Sequence, residues 1–128
     1  MEGKMVLTTT REVDASHKLN DYEGKCANIH GHRWKIEVDV SIKVKSLIHE
    51  NSGMVLDFNV VKNVIDRLDH KMINELEPFD NYNPTAENLS IYIASEIKKS
   101  ALDKGIEIDI ESVRVWETPD NKAEFIPE

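Results

Sequence analysis

Residues 30–44 alternate without a break. His30, His32, Trp34, Ile36, Val38, Val40, Ile42 and Val44 take the even positions, and Arg33, Lys35, Glu37, Asp39, Ser41 and Lys43 the odd ones. Successive side chains of a strand point to opposite faces. This period of two therefore predicts one long strand with an apolar and a solvated face, as in an antiparallel sheet covered on one side. Two histidines head the strand on its apolar parity, separated only by Gly31.

The rest of the chain arranges itself around that strand. Residues 5–17 alternate more weakly, with Met5, Leu7, Val13, Ala15 and His17 on one parity, and predict a half-buried strand. Residues 18–29 are polar and turn-rich and predict a loop, and Asn51-Ser52-Gly53 marks a turn. Helical spacing follows over 57–69, where Phe58, Val61, Ile65 and Leu68 form a stripe widened by Val64, and Asp57 suits the N-cap. A second helix is expected over 84–100 from Leu89, Ile93 and Ile97, with Asn83 as cap, Pro84 in the first turn and Gly105 closing the region. Over 106–117 the apolar parity flips from Ile106, Ile108 and Ile110 to Val113 and Val115, which predicts a bulge near Glu111–Ser112. A turn at 119–121 leads into a short last strand, Lys122–Ile126. The order ββααββ implies an α+β domain spanning 1–128, with a four-stranded antiparallel sheet and both helices on one face.

Composition narrows the partners. A net charge of −8 over 128 residues repels phosphate backbones, and no Lys/Arg cluster reverses this locally, so nucleic acid is not expected. No apolar run approaches the roughly 20 residues that span a bilayer, and the first ten residues carry no export signal. The single cysteine, Cys26, cannot form an internal disulfide, which fits a reducing, cytoplasmic setting.

The histidines carry the chemistry. Spacing i, i+2 puts the imidazoles of His30 and His32 on one face, and neutral imidazole is a good zinc ligand. His17 ends the first strand on the inward parity. If the first two strands pair antiparallel, it lies beside the other two. Three protein ligands leave a fourth position open, as catalytic zinc sites do. The competing reading is a group of surface or core-edge histidines. His49 falls in a polar turn and reads as solvated. Cys26 has three readings: a fourth zinc ligand, a thiolate activated by a nearby metal, or a small buried hydrophobe. In Asp69-His70 the carboxylate can fix the imidazole tautomer, or the pair can simply end the first helix. Glu117 continues the face of Val113 and Val115. It either points inward and needs N–H partners, or reaches water from the strand end. Glu87 falls in the first turn of the second helix, where the dipole favours it anyway.

Taken in order, Asp14-Ala15-Ser16-His17, Cys26-Ala27-Asn28-Ile29-His30-Gly31-His32, Leu56-Asp57-Phe58, Leu68-Asp69-His70-Lys71, Pro84-Thr85-Ala86-Glu87-Asn88 and Trp116-Glu117-Thr118 resemble the 6-pyruvoyl-tetrahydropterin synthase superfamily. The resemblance covers nearly the whole chain. It implies the tunnelling fold, or T-fold, with trimers closing a β-barrel, two trimers stacked into a homohexamer, and active sites at subunit interfaces. It implies zinc held by His17, His30 and His32, Cys26 as the proton-abstracting thiol, and Asp69 and His70 as its partners in proton transfer. Glu117 is implied as the anchor of a pterin ring, with Thr85 and Glu87 lining the pterin pocket. Three residues separate Cys26 from His30, a gap similar to that of the 6-carboxy-tetrahydropterin synthases of the queuosine and archaeosine pathway. The biopterin-forming branch tends to have a longer gap, and a third branch carries glutamate in place of the cysteine. The implied reaction converts 7,8-dihydroneopterin triphosphate to 6-carboxy-tetrahydropterin, releasing acetaldehyde and triphosphate. Formation of 6-pyruvoyl-tetrahydropterin is the alternative. A metal-binding T-fold module without catalysis and a metal-free pterin enzyme are the readings from other classes. Arg33-Trp34 departs from the small polar residue and aromatic that relatives often carry after the histidines. No basic cluster for the triphosphate is evident, although Lys18, Lys25 and Arg33 are near the expected site.

Overall fold

The computed structural model describes residues 1–128. Strands β1 (Gly3–His17) and β2 (His30–Val44) form a long antiparallel hairpin, in register from Gly3↔Val44 to His17↔His30. Helix α1 (Phe58–Asp66) follows, then a short strand β3 (Lys71–Met72), helix α2 (Ala86–Asp103), and strands β4 (Asp109–Thr118) and β5 (Asn121–Phe125). The sheet order is β3-β1-β2-β4-β5.

The expected sheet of four antiparallel strands therefore gains a fifth. Strand β3 runs parallel to β1 through Ala15↔Lys71 and Ser16↔Met72. Two residues are too few to show any period. The parity flip in β4 has the physical origin expected of it: Asp39 pairs with Ser112 and Val40 with Ile110, so Glu111 is the extra residue of a bulge.

Both helices cover the apolar face. Helix α1 packs on β1, and α2 on β4, β5 and α1. The core between them joins Val13, Trp34, Ile36, Val38, Val113 and Val115 of the sheet to Val61, Ile65, Leu89, Ile93 and Ile97 of the helices. The Asp57 carboxylate caps α1 by accepting the Asn59 N–H at 2.8 Å. Phe58 departs from the expected stripe. It remains exposed, and Val60 takes its place beside Val61, Val64 and Ile65.

Helix α2 also begins later than expected. Thr85, not Asn83, is the cap, its hydroxyl accepting the Asn88 N–H at 3.1 Å, and Pro84 precedes the cap. Its end explains why β4 starts at Asp109 and not at Ile106. Gly105 adopts φ 77°, its N–H bonds to the Leu102 carbonyl, and the Ile106 N–H bonds back to the Ala101 carbonyl at 3.0 Å. That is a Schellman closure, which commits Ile106 to the helix end. No helix is long and apolar enough to cross a membrane.

Candidate metal centre and active site

Three histidines converge at the mouth of the β1–β2 hairpin. His17 and His30 are the last pair of the ladder, and His32 is opposite Ala15. Their rings meet edge to face, with centroids 4.5 Å apart for His17–His30, 5.2 Å for His17–His32 and 4.8 Å for His30–His32. Trp34 packs beside them, 4.9 Å from His17 and 5.4 Å from His32. The indole is buried and donates its Nε1–H to the Ala15 carbonyl at 3.2 Å.

Two backbone carbonyls orient the rings. Nδ1 of His17 lies 2.8 Å from the Pro84 carbonyl, and Nδ1 of His30 lies 2.7 Å from that of Asn28. A carbonyl only accepts, so each Nδ1 carries the proton and each neutral ring presents a lone pair at Nε2. Histidines that hold metals are commonly anchored in this way. The Nε2 atoms of His17, His30 and His32 are buried and have no hydrogen-bond partner. Leaving such atoms unmet costs about 1–3 kcal/mol each.

Glu117 completes the group. Its Oε1 is 2.9 Å from His32 Nε2 and 3.7 Å from His17 Nε2, and the ligand atoms of all four residues lie within 4.8 Å of one another. The short approach to His32 is not aligned as a hydrogen bond. A bulge delivers this carboxylate: Trp116 pairs with Lys122 and Thr118 with Asn121, so Glu117 is the extra residue. Three converging imidazoles fit a divalent metal such as zinc, and the carboxylate beside them is a further acceptor. Burial pushes the pKa of His17 down against the opposing pull of the Pro84 carbonyl and Glu117, and pushes that of His32 down against Glu117. Both shifts favour the neutral form that metal ligation requires.

The other candidate residues fall outside this group of four donors. Cys26 is partly buried in a single 3-10 turn, Lys25–Ala27, and the fourth donor beside the three Nε2 atoms is Glu117, not Cys26. Asp69 and His70 join the outer edge of β1. The Asp69 carboxylate accepts the Asp14 N–H at 3.0 Å, and the His70 N–H donates to the Asp14 carbonyl at 2.7 Å. The His70 side chain is 79 % exposed, with Nε2 3.7 Å from Asp69 Oδ2. His70 and His32 border one open depression, together with Ser16, Gly31, Arg33 and Lys71. Arg33 is engaged there, its Nε donating to Asp14 at 3.1 Å. Thr85 and Glu87 open α2 directly after the Pro84 carbonyl that holds His17, with Glu87 exposed. His49 is exposed in its turn.

Sequence reasoning missed the two orienting carbonyls, since a main-chain acceptor leaves no mark in residue type. It also left Glu117 open between an inward and a water-facing position and did not foresee its contact with the histidines, because that contact depends on the β4–β5 bulge.

Comparison with known proteins places this geometry. Residues 6–128 match the sequence profile of 6-pyruvoyl tetrahydropterin synthase. A putative 6-carboxy-5,6,7,8-tetrahydropterin synthase of Archaeoglobus fulgidus is 34 % identical over 129 residues, covering 98 % of this chain and 98 % of the relative. The 6-pyruvoyl tetrahydrobiopterin synthase of Drosophila melanogaster is 37 % identical over 131 residues, covering 90 % of this chain and 75 % of that protein. The fold matches the structure of Caenorhabditis elegans 6-pyruvoyl tetrahydropterin synthase with a TM-score of 0.75 at 24 % identity, over 98 % of this chain and 97 % of that one. A T-fold carrying this ordered set of residues, matched over nearly its full length, belongs to the 6-pyruvoyl tetrahydropterin synthase family.

Proposed function

We propose that the chain is a zinc-dependent lyase that converts 7,8-dihydroneopterin triphosphate to 6-carboxy-5,6,7,8-tetrahydropterin, releasing acetaldehyde and triphosphate. The observation that carries the metal reading is the convergence of three partnerless Nε2 atoms, two of them on rings oriented by carbonyls. His17, His30 and His32 would hold the ion, and zinc bound there would supply Lewis-acid polarisation of the substrate's side-chain oxygens. Three imidazoles would also accept cobalt, nickel or copper.

The remaining steps fall to the chain's own groups. In this reading the Cys26 thiolate removes a proton from the substrate side chain. His70, oriented by Asp69, delivers or accepts one on the other side. Glu117 accepts the adjacent N–H donors of the pterin ring, and Thr85 and Glu87 line its pocket. A free thiol in this role suits a reducing, cytoplasmic setting.

A homohexamer built from two trimers, with active sites between subunits, belongs to the same proposal. Two observations support it. The outer edge of β1 is paired only at Ala15 and Ser16, and β5 is the last strand at the other end of the sheet, so both ends can add strands. The imidazole of His70 is also open to an approaching neighbour.

The branch is argued from the short gap between Cys26 and His30 and from the name of the archaeal relative. The identity to the Drosophila protein supports 6-pyruvoyl-tetrahydropterin as the second reading. Mass spectrometry of products from zinc-loaded protein and 7,8-dihydroneopterin triphosphate separates the two. A 6-carboxy product with acetaldehyde is expected. A 6-pyruvoyl product moves the chain to the other branch, and no turnover sinks the lyase reading.

A further inference from the structure

The loop that carries Cys26 is held by side chains where a partner strand would ordinarily hold it. Because β1 and β2 end on the pair His17↔His30, residues 18–29 form the closing loop of their hairpin. Loops of this length are usually variable in conformation unless something ties them down. Two asparagines from the segment between β3 and α2 do so here. Asn74 donates Nδ2–H to the Lys18 carbonyl at 3.0 Å and accepts the Lys18 N–H at 2.9 Å. Asn83 treats Asn20 identically, donating at 2.9 Å and accepting at 2.8 Å.

Each side-chain amide thus replaces one residue of a β-ladder, meeting the N–H and C=O of a single residue, and it does so at alternate positions. The residue between points the other way: the Leu19 N–H donates to the Cys26 carbonyl at 2.8 Å. Lys18–Asn20 is therefore a miniature strand, clasped on one side by two amides and bonded on the other to the turn that bears the thiol. The clasp is itself anchored. Asn88 of α2 donates Nδ2–H to the Asn83 carbonyl at 2.9 Å, and Pro84, next in the chain, holds His17.

We propose that Asn74 and Asn83 are positioning residues that fix the Cys26 loop relative to the three histidines. This rests on the reading of Cys26 as the reacting thiol. A carboxamide carries its donor and acceptor on neighbouring atoms in one plane, and so meets the N–H and C=O of one backbone residue together. Aspartate keeps the shape but turns an oxygen toward the loop carbonyl, and alanine removes both bonds.

Cys26 is the only cysteine, so its alkylation rate with iodoacetamide reports loop order directly. The rate would be measured on zinc-loaded wild type, Asn83→Ala, Asn74→Ala/Asn83→Ala and the near-isosteric Asn83→Asp, with kcat, KM and bound metal measured on the same samples. Expected are alkylation several-fold faster, kcat lower by about tenfold or more, KM within about threefold, and metal retained, with Asn83→Asp less affected than the double variant. If the alanine variants fail to fold, Asn83→Asp decides alone. Wild-type alkylation overturns the proposal, and so does faster alkylation with undiminished kcat. Cys26→Ala separates the two layers: wild-type turnover in that variant removes the reading of the thiol, and the alkylation rates then decide whether the asparagines hold the loop.

Discussion

Strands β1, β2 and β4 carry polar groups on both faces, and the two sets are treated in opposite ways. On the face away from the helices the charges around Arg114 answer one another. Arg114 donates to Glu37 at 2.8 Å and to Asp39 at 3.0 Å and pairs with Glu124 at 3.3 Å, while Thr10 donates to Glu37 at 2.7 Å. On the helix-side face, at the end of the same sheet, three imidazoles aim their Nε2 atoms together with no hydrogen-bond partner among protein groups. The first arrangement is self-sufficient and adds to stability. The second detracts from stability as it stands and makes sense as binding chemistry.

The contrast can be broken by experiment, and the largest effect should come from the histidines. His30→Ala is expected to lose bound metal, and with it activity by about a thousandfold, the scale of several kcal/mol of lost transition-state stabilisation. With metal withheld from both, it should be about as stable as the wild type. Activity without metal would refute the catalytic-metal reading.

Arg114→Ala should do the reverse. It leaves three carboxylates facing one another without their cation, and denaturation should show a loss of about 2 kcal/mol. Metal content should be unchanged, and an unchanged denaturation midpoint would mean that the ladder is mere decoration. Added metal should raise the midpoint of Arg114→Ala but not that of His30→Ala.

Acid should take the two faces apart in sequence. The pKa values of His17 and His32 are lowered by burial below the ordinary 6.5, so the unfolded chain binds protons more readily there. Their contribution to stability is complete above that value and is lost, along with bound metal, as pH falls below it. Hydrogen bonds from Thr10 to Glu37 and from Ser112 to Glu124 hold those carboxyls below the ordinary 4.5, so the ladder persists further and is lost only as pH falls beneath 4.5. Metal analysis and circular dichroism along one titration check this order. Unfolding that precedes metal release would reverse it.

Much of this division was legible in residue order. The unbroken alternation of 30–44 predicted β2, its two faces and the shared face of His30 and His32. The end of β1 on the same parity put His17 beside them if the two strands paired antiparallel, as they do, and the parity flip in β4 predicted a bulge near Glu111–Ser112, where Glu111 is the extra residue. What escaped is either short or made by the main chain. Strand β3 has no period to detect. Asn83 looked like a helix cap, since capping and clasping a loop call on the same amide. The burial of Val60 in place of Phe58 was settled by how α1 lies on the sheet.

The position of His17 and His30 at the last rung of a fifteen-residue ladder has a dynamic consequence. Ladders open from their ends, and the amides nearest an end exchange with solvent first. A ligand gripping the final rung would act as a clamp on that fraying. Ion capture and strand opening then form one equilibrium, in which amides 15–17 and 30–32 slow with ion concentration while those at the Gly3–Val44 end keep their own rhythm.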